Sequence, residues 1–456
     1  MSRLKPDSSA HEHNATVIGG GLAGSEAAWQ LAERGFHVSL HEMRPTLASP
    51  AHHTSDLAEL VCSNSFKSND PSSAAGTLKA ELARLGSRLL QIARDTAVPA
   101  GGALAVDRAL FSGTVTDIID SHPNIDLIRD EVRAIPDHEP VVVATGPLSS
   151  PGLDPSLSSL VGDGRLAFFD AAAPIVDAET IDRTLVFAAS RYEKGAGADY
   201  LNCPMDRVSY ERFIDELIDA ERVTAQAFER KDLFQACQPI EEVARQGLDA
   251  PRFGPLKPVG LTDPATGERP WAVVQLRAEN RAATAYNLVG FQTNLTFSEQ
   301  RRILRMIPGL EGAEFVRYGV MHRNTFVDAP RILDPTLALR STPNIYLAGQ
   351  LAGTEGYTEA IATGLLAALN LTAAVRGDRP FVLPPTTALG ALITYATDPE
   401  TKKYQPMHVN WGLVPPLTPP VRGKRARYSA YADRALRDLD AFLANRTSAD
   451  SVATDV

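Results

Sequence analysis

Cysteine, net positive charge and long apolar runs are all scarce in this chain. Its 456 residues include three cysteines, 45 lysines and arginines, and 55 aspartates and glutamates. Three cysteines are too few, and odd in number, for a disulfide-stabilised scaffold, which favours the reducing cytoplasm as the location. The net charge of −10 excludes a uniformly basic surface, although a local basic patch for nucleic acid stays compatible with it.

Marks of membrane insertion and of metal binding are also missing from the sequence. There is no run of about 18 apolar residues to span a membrane, and the polar first 14 residues do not resemble a signal peptide. No C-x-x-C pair and no metal-ligand spacing of histidines occurs, so we predict no metal site. An apolar fraction of 44% and a charged fraction of 22% are ordinary for a globular enzyme, and the length favours two or three domains.

The N-terminal region has the pattern of a nucleotide-binding βαβ unit. Ala15–Gly19 is an apolar strand candidate, Ser25–Arg34 has apolar residues at helical spacing, and Phe36–Glu42 is a second strand candidate. Between the first two lies Gly19-Gly20-Gly21-Leu22-Ala23-Gly24, which fits G-x-G-x-x-G and allows a pyrophosphate to approach the helix N-terminus. Glu42 ends the second strand, where a carboxylate accepts a hydrogen bond from a ribose hydroxyl. We therefore predict a dinucleotide site at this turn.

Two later segments favour FAD as the dinucleotide. Val141–Ala144 is an apolar strand that runs into Gly146. Asn344–Ala348 is another, and it leads into a glycine-rich turn and a helix that bear Gly349, Gln350, Gly356 and Tyr357. Both resemble parts of the two-part FAD-binding fold, and the last helix would direct its positive end at the flavin ring. The lack of a second G-x-G-x-x-G argues against a separate nicotinamide-binding domain.

The return of the strand-helix pattern near the C-terminus indicates one nucleotide-binding domain built from both ends of the chain. The predicted fold class is α/β, a Rossmann-like two-part FAD-binding domain with an inserted α+β domain. The predicted divisions are a flexible tail at 1–13, the FAD-binding domain at 14–196 and 321–445, the insertion at 197–320, and a flexible tail at 446–456. Within them, Leu78–Arg94 has the pattern of one helix and Pro147–Leu160 that of a loop.

Each cysteine is a candidate nucleophile, because the thiolate is the strongest nucleophile among these side chains. Polar residues follow Cys62 in Leu60-Val61-Cys62-Ser63-Asn64-Ser65, which favours a functional role over burial in a core. Cys237 and Cys203 both precede a proline-containing helix start, where the helix N-terminus lowers a thiol pKa. The residues alone do not separate Cys203 from Cys237.

Several motifs together resemble the folate- and FAD-dependent tRNA (uracil-5-)-methyltransferases, from about Thr16 to Phe442. Gln350 fits this family, whereas many other flavoproteins have aspartate at this place. Gln235-Ala236-Cys237-Gln238 departs from the family's more common Glu-Gly-Cys-Met, but the cysteine is kept. The matching motifs are Val17 to Ala28, Glu42-Met43-Arg44-Pro45, Pro50 to Thr54, Glu59 to Ser65, Val98 to Arg108, Tyr200 to Met205, Gly319 to Thr325 and Gly349-Gln350.

The resemblance implies transfer of a one-carbon unit to RNA. The methylene group of 5,10-methylenetetrahydrofolate passes to C5 of the uridine at position 54 in the T-loop of tRNA. Reduced FAD supplies the electrons, and NADPH or NADH regenerates it. The resemblance assigns Cys237 as the thiolate that adds to uracil C6, and Cys62 as a second essential thiol close to the flavin; the two roles could be exchanged.

Folate carboxylates and tRNA phosphates both require cations, and several basic residues are candidates. The residues singled out for folate or RNA are Lys257, Arg277, Arg281, Arg301, Arg302, Arg305, Arg422, Lys424, Arg425 and Arg427. Three alternatives remain open at this point: an FAD oxidoreductase for a small molecule, an rRNA-directed member of the same family, and the related FAD proteins that modify the tRNA wobble uridine. The last are usually longer chains with a further C-terminal domain.

Overall fold

Two six-stranded sheets form the frame of the protein, and a two-stranded ribbon and a three-stranded sheet complete it. The computed structural model describes residues 13–49, 51–162, 165–171, 173–223, 238–319, 321–401 and 404–453. The strands are β1 His13–Ile18, β2 Phe36–His41, β3 Ser65–Ser68, β4 Ala97–Val98, β5 Ala103–Val106, β6 Ile125–Ile128, β7 Val141–Val143, β8 Arg165–Ala171, β9 Ile175–Asp177, β10 Phe187–Ala188, β11 Tyr200–Met205, β12 Ala272–Ala278, β13 Ala285–Leu288, β14 Phe315–Arg317, β15 Met321–Val327, β16 Ala338–Leu339 and β17 Thr342–Leu347. The α-helices are α1 Leu22–Ala32, α2 Ala74–Arg84, α3 Arg88–Asp95, α4 Arg108–Asp120, α5 Asp154–Val161, α6 Arg207–Asp219, α7 Ile240–Arg245, α8 Ala250–Phe253, α9 Phe297–Leu304, α10 Ala329–Ile332, α11 Tyr357–Arg376, α12 Ala388–Thr397 and α13 Lys424–Ala453.

The first sheet joins both ends of the chain, in the strand order β16-β17-β7-β1-β2-β6. The five strands from β17 to β6 are parallel to one another, and the edge strand β16 is antiparallel to β17. All three valines of β7 are buried, as expected of a parallel strand covered on both faces. The pairing of β7 with both β1 and β17 confirms the predicted Rossmann-like sheet built from the two ends.

The second sheet has the order β10-β11-β12-β13-β9-β14 and a hydrophobic core of its own. Its central strand β12 is buried at every residue and pairs antiparallel with β11 and β13. Strands β9 and β10 belong to this sheet although they precede residue 197. The second sheet therefore reaches further toward the N-terminus than the predicted insertion, because Val176 of β9 packs in its core. The division into domains otherwise stays a prediction.

Three elements differ from the sequence-based expectation. The helix predicted over Leu78–Arg94 is two helices, because Gly86 has a left-handed φ of +78° and the Ser87 side chain caps α3 at Leu90 N. Helix α5 lies inside the predicted loop Pro147–Leu160, with a proline in its first turn. Residues 446–453, predicted as a tail, continue α13, and the Arg446 guanidinium donates to the carbonyls of Pro380 and Arg379. Residues 1–12 and 454–456 of the predicted tails lie outside the described residues.

Helix α11 is the one helix within the described ranges that is long and apolar enough to cross a membrane. Of the most apolar 18-residue stretch of this helix, 78% is buried inside the protein. It packs along α1, so its apolar character is explained by its place in the core.

Candidate functional site

A cavity of about 350 Å³ opens where the parallel strands of the first sheet end. Gly19 follows β1, Glu42 follows β2, Gly146 lies three residues after β7, and Gly349 lies two residues after β17; all four line it. In open α/β sheets this carboxyl edge is where ligands bind. The structure thus brings together predicted residues from four separate strands, and it adds the predicted residues Gly21, Leu22, Ala23, Cys62, Gln350, Gly356 and Tyr357 to the same wall.

The glycine-rich turn is built for close backbone contact. Gly19 has a left-handed φ of +101°, and a Cβ on it would lie 2.6 Å from the Ala144 carbonyl oxygen. A Cβ on Gly24 would lie 1.8 Å from the Gly19 carbonyl oxygen, so any side chain there would break the turn. A Cβ on Gly21, in contrast, would meet no atom within 4 Å, which leaves open space at the α1 N-terminus.

Glu42 is fixed in place by its neighbours. Its carboxylate accepts hydrogen bonds from Gly20 N at 2.9 Å and from Arg44 Nε at 2.8 Å, and Arg44 also pairs with Glu59 at 3.0 Å. Burial raises the pKa of Glu42, but the Arg44 donors outweigh it and hold the pKa below its usual range. The predicted contact of Glu42 with a ribose stays a prediction; the structure shows a fixed, ionised carboxylate at the cavity.

Tyr357, the first residue of α11, holds the segment that carries Cys62. Its hydroxyl oxygen accepts from the backbone N–H groups of Cys62 at 2.8 Å and Ser63 at 3.2 Å. Burial, with a smaller effect of Cys62, raises the pKa of Tyr357, so its phenol stays protonated. Tyr357 thereby connects the Cys62 segment to helix α11, which begins at the cavity.

Three arginines hold the same segment from the other side. Arg317 donates to the carbonyls of Val61 at 3.0 Å and Cys62 at 3.2 Å, and Arg108 donates to that of Leu60. Arg277 donates from Nε to the Asn64 side chain at 2.8 Å. Asn64 is fully buried, and its amide donates to Val106 and Ala278, each at 2.9 Å. The segment 60–64 is therefore held at nearly every residue.

The arginines also set the electrostatic surroundings of Cys62. Burial lowers the pKa of Arg277 and of Arg317; Glu279 opposes this effect in both, and Cys62 opposes it to a smaller extent. Burial acts in the same way on Arg108, but Glu279, 2.8 Å away, and Cys62 leave its pKa above the usual value. This effect is reciprocal, because cations whose pKa a thiolate raises stabilise that thiolate in turn. With Glu279 paired to Arg108, the remaining positive charge favours ionisation of Cys62.

The other two cysteines have different positions. Cys203 lies on β11, fully buried, and burial raises the pKa of its thiol, so it is unsuited as a nucleophile. Cys237 lies outside the described residues, between Val223 and Gln238. The structure thus removes Cys203 as a rival, and the role of Cys237 stays a prediction.

The predicted basic residues occupy several separate places. Arg277 is buried with 6% of its surface exposed, so it supports the Cys62 segment instead of facing bulk RNA. Arg281 is exposed, and its guanidinium donates to the carbonyls of Ala97 and Asp95. Arg302 pairs with Glu299 and Glu216, and Arg305 donates to Ala313 O at 2.8 Å. Exposed to solvent are Lys257, Arg301, Arg422, Lys424, Arg425 and Arg427, and their contact with folate or RNA stays a prediction.

His52 and Lys67 are among the cavity residues that were not predicted from the sequence. His52 Nδ1 forms a hydrogen bond with Ser49 Oγ at 2.5 Å. Burial, with Arg44 nearby, lowers the pKa of His52 to about 4, so its imidazole is neutral at pH 7. Lys67 has a left-handed φ of +63° and pairs with Glu359 of α11 at 3.2 Å. Lys67 lies two residues after the motif Glu59 to Ser65, so its closeness to this motif was the available signal.

Comparison with known proteins gives strong matches over nearly the whole chain. The family described as glucose inhibited division protein A matches residues 14–379. Methylenetetrahydrofolate–tRNA-(uracil-5-)-methyltransferase TrmFO from Geobacter sulfurreducens is 56% identical over 94% of this chain and 98% of that relative. The relative of the same name from Heliobacterium modesticaldum is 54% identical, again over 94% and 98%.

The chain belongs to this tRNA (uracil-5-)-methyltransferase family. A solved structure of GidA from Aquifex aeolicus has the same fold, with a TM-score of 0.67 at 18% identity, over 95% of this chain and 74% of that one. This chain is therefore as long as its methyltransferase relatives and shorter than GidA. The resemblance seen in the sequence motifs is confirmed.

FAD, the cofactor of this methyltransferase family, fits the cavity. A Cβ on Gly21 or on Gly146 would meet no atom within 4 Å, so the turns after β1 and β7 leave room for a ligand against the backbone. The N-termini of α1 and α11 both face this space, through Gly21 and Gly356, and favour negative charge there. Gly19 to Ala23 would hold the pyrophosphate, and Gly349, Gln350 and Gly356 the flavin end. Among the described residues, no group of three or more His, Cys, Asp or Glu could hold a metal ion.

Proposed function

We propose that this methyltransferase transfers the one-carbon unit of 5,10-methylenetetrahydrofolate to C5 of the T-loop uridine, position 54, of tRNA, giving 5-methyluridine. The observation that carries the proposal is the shared cavity, in which Cys62 lies on the same wall as the nucleotide-binding turn and the α11 N-terminus. The 56% identity to a relative named for this reaction supports it. The reaction would take place in the cytoplasm, in keeping with the low cysteine content.

Bound FAD, once reduced by NADPH or NADH, would supply the two electrons and the hydrogen that turn the methylene carbon into a methyl group. The protein has to bring uracil, folate and flavin together and to move protons. The narrow cavity and the fixed position of the 60–64 segment serve this positioning, because small displacements of reacting groups are costly in rate.

The two reactive cysteines divide the work on uracil. Uracil C5 becomes nucleophilic when a thiolate adds to C6, and we assign this addition to Cys237. C5 then bonds to the methylene carbon and gives its proton to a base, and the bond between this carbon and the folate nitrogen breaks, so that tetrahydrofolate leaves. After the carbon has been reduced to a methyl group, the C6–S bond breaks, which releases the thiolate and restores the C5–C6 double bond. Cys62 is our candidate for the base or for handling the carbon unit, because three arginines favour its thiolate. The neutral His52 lines the same cavity and is a second proton acceptor within it.

A methyl-incorporation assay tests this function. Labelled methylenetetrahydrofolate is incubated with the enzyme, NADPH and bulk tRNA, rRNA or no RNA. We expect label in tRNA alone, and loss of label when the T-loop uridine is replaced by cytidine. Label in rRNA would make the enzyme an rRNA-directed member of the family. NADPH oxidation that is unaffected by RNA or folate would indicate an oxidoreductase for a small molecule.

The cysteine assignments are tested by three variants. Cys62→Ala and Cys237→Ala should lose methylation and retain the flavin, whereas Cys203→Ala, the matched control, should retain both. The control is suitable because Cys203 is buried in the second core, away from the cavity residues. Full activity of Cys62→Ala or of Cys237→Ala would remove that cysteine from the mechanism.

A further inference from the structure

A stack of three aromatic rings ends in solvent on the second sheet. Phe315, in β14, stacks on Tyr318 with ring centroids 5.4 Å apart and planes 28° apart. Tyr318 stacks on Phe297, the first residue of α9, at 5.3 Å and 22°. Phe297 is 57% exposed, so the stack ends in an accessible ring. Offset stacked rings of this kind extend naturally by one more flat ring.

The stack is linked through the chain to residues that contact Cys62 and line the cavity. Tyr318 follows Arg317 in the chain, and the Arg317 guanidinium donates to the carbonyl of Cys62 at 3.2 Å. Phe297 follows the loop 292–296, which begins with the cavity residue Gln292. The same loop accepts backbone hydrogen bonds from Ile240 at 2.7 Å and from Val223 at 2.9 Å, which flank the part of the chain that contains Cys237. One loop therefore connects the stack, the cavity and both flanks of the second cysteine.

An exposed arginine accompanies the exposed ring. Arg301 lies four residues after Phe297 on α9 and thus on the same helix face, and it is exposed. Glu299 in the same helix pairs with Arg302 at 2.7 Å, and Glu216 pairs with the same arginine. Both carboxylates are therefore directed to Arg302 and not to Arg301. An exposed aromatic ring with an exposed arginine on the same helix face suits a nucleotide, because the base stacks on the ring and the phosphate pairs with the arginine.

We propose that Phe297 is a stacking platform for an unpaired base of the tRNA loop, with Arg301 contacting a neighbouring phosphate. This inference rests on the proposed function, in which tRNA is the substrate. A base held here would keep the loop open beside the cavity, so that the target uridine reaches the cysteines while a neighbouring base is stacked outside. Proteins that recognise single-stranded RNA commonly stack splayed bases on aromatic side chains in this way.

Exposure alone does not mark such a site, and the chain provides the matched control. Phe253, the last residue of α8, is 77% exposed, but no ring of the described residues stacks on it. A single exposed apolar side chain is ordinary on a protein surface. Phe297 differs because it completes a stack, and because Tyr318 of that stack follows Arg317, which contacts the Cys62 segment.

The experiment measures the Kd of an unmodified tRNA transcript at several salt concentrations. We expect Phe297→Ala to weaken binding about 5- to 100-fold, Phe297→Leu to weaken it nearly as much, and Phe297→Trp to retain it, since stacking needs a flat ring. The slope of log Kd against log salt should not change in these variants. Arg301→Gln should reduce that slope by about one, because one phosphate contact is lost. Phe253→Ala should bind as wild type.

Several outcomes would overturn the platform. Binding of Phe297→Ala within twofold of wild type would do so, as would an equal loss in Phe253→Ala. A change of oligomeric state in Phe297→Ala with unchanged tRNA affinity would make the stack a protein contact. The methylation assay with the wild-type enzyme separates this from the function itself: if wild type methylates tRNA and Phe297→Ala binds normally, only the platform is wrong.

Discussion

At the scale of single residues, the environment of Cys62 determines whether it can react. Its backbone N–H is held by Tyr357 and its carbonyl by Arg317, while Arg108 and Arg277 hold the residues on either side. A free cysteine is mostly protonated at neutral pH, so nearby cations are needed for a substantial thiolate fraction. The positive charge supplied here comes from three different elements, α4, β12 and β14.

Loss of one of these charges should slow the reaction of Cys62 with an alkylating agent. We expect Arg317→Gln to reduce the rate of Cys62 alkylation by iodoacetamide at pH 7 on the order of tenfold, because the thiolate is less stabilised. Arg317→Lys should retain most of the rate, since it keeps the charge. The rate is followed by mass spectrometry of the Cys62 peptide as pH is varied. A pH profile identical to wild type in Arg317→Gln would contradict the electrostatic role.

Residue-level prediction from the sequence succeeded for groups that belong to a motif. The turn from Gly19 to Gly24, Glu42 and Cys62 all stand in recognisable patterns. The structure brings Glu42, Cys62 and most of the turn to one cavity, whereas Gly20 and Gly24 do not line it. Arg108 ends the motif Val98 to Arg108 and Arg317 stands in no motif, but the role of neither could be predicted, because it depends on a contact across the fold. The sequence singled out Arg277 for its charge. The structure shows that Arg277 is buried and donates a hydrogen bond to Asn64.

At the scale of elements, the contact between α1 and α11 forms the floor of the cofactor site. Small residues allow the two helices to approach closely: a Cβ on Gly364 of α11 would lie 2.1 Å from the Ala23 carbonyl oxygen of α1. Since both helices begin at the cavity, their separation sets the position of both N-termini. The sequence predicted both helices, but not that they pack on each other.

Gly364→Ala should therefore push α1 and α11 apart. An alanine in a helix is normally favourable by about 1 kcal/mol relative to glycine, but overpacking against backbone costs about 1–3 kcal/mol or more. We expect less FAD in the purified protein and a lower melting temperature. Gly113→Ala in α4 is the control, because its Cβ would meet no atom within 4 Å, and it should be neutral or stabilising. Equal FAD content in the two variants would show that the close helix contact is unimportant.

A buried carboxyl group links α2 to α12 and makes this contact sensitive to pH. Glu81 is fully buried and accepts from the N–H groups of Ala388 at 2.7 Å and Leu389 at 2.9 Å, at the start of α12. Burial raises the pKa of Glu81 from 4.5 to about 7 against the effect of these donors. A carboxyl with a raised folded-state pKa contributes stability that is present below pH 4.5 and is lost as pH rises to about 7.

Glu81→Gln should remove this pH dependence, since the amide keeps an acceptor and does not ionise. The wild-type free energy of unfolding should lose up to about 3 kcal/mol through this group between pH 4.5 and pH 7.5, and the variant should lack that part. Urea unfolding at several pH values measures it. Parallel curves for the two proteins would show that Glu81 stays ionised in the folded state.

At the scale of the whole molecule, the arginines account for how an acidic protein can act on RNA. The chain has a net charge of −10, and several of its arginines make contacts inside the protein. Arg108 and Arg317 hold the Cys62 segment, and Arg305 holds the Ala313 carbonyl. Among the candidates for RNA contact, those exposed in the described ranges include Lys257, Arg301, Arg422, Lys424, Arg425 and Arg427. They lie in three separate stretches of the chain, which agrees with local contact and not with a broad basic face.

The segment that carries Cys62 lies where the three-stranded sheet β3-β5-β4 meets the second six-stranded sheet, and Asn64 connects these two sheets. The Asn64 amide donates to Val106 of β5 and to Ala278 of β12, while the side-chain oxygen of Asn64 accepts from Arg277. Arg108 and Glu279 form a second connection at 2.8 Å. The sequence predicted two parts of the chain, but the junction could not be predicted, because it joins residues more than 200 positions apart.

Asn64→Ala should therefore loosen the junction as well as destabilise the fold. Removal of the side chain leaves the carbonyls of Val106 and Ala278 and the Arg277 guanidinium without their partner, at a cost of about 1–3 kcal/mol for each buried group left unsatisfied. Asn370→Ala is the matched control, because Asn370 is also buried and makes three hydrogen bonds, all within the first core around α11. Both variants should melt at lower temperature. Only Asn64→Ala should raise hydrogen exchange in segment 60–64 and in β12 together and change the alkylation rate of Cys62. If both variants altered exchange and Cys62 reactivity alike, the effect would be general destabilisation, and Asn64 would not join the two sheets at the reactive cysteine.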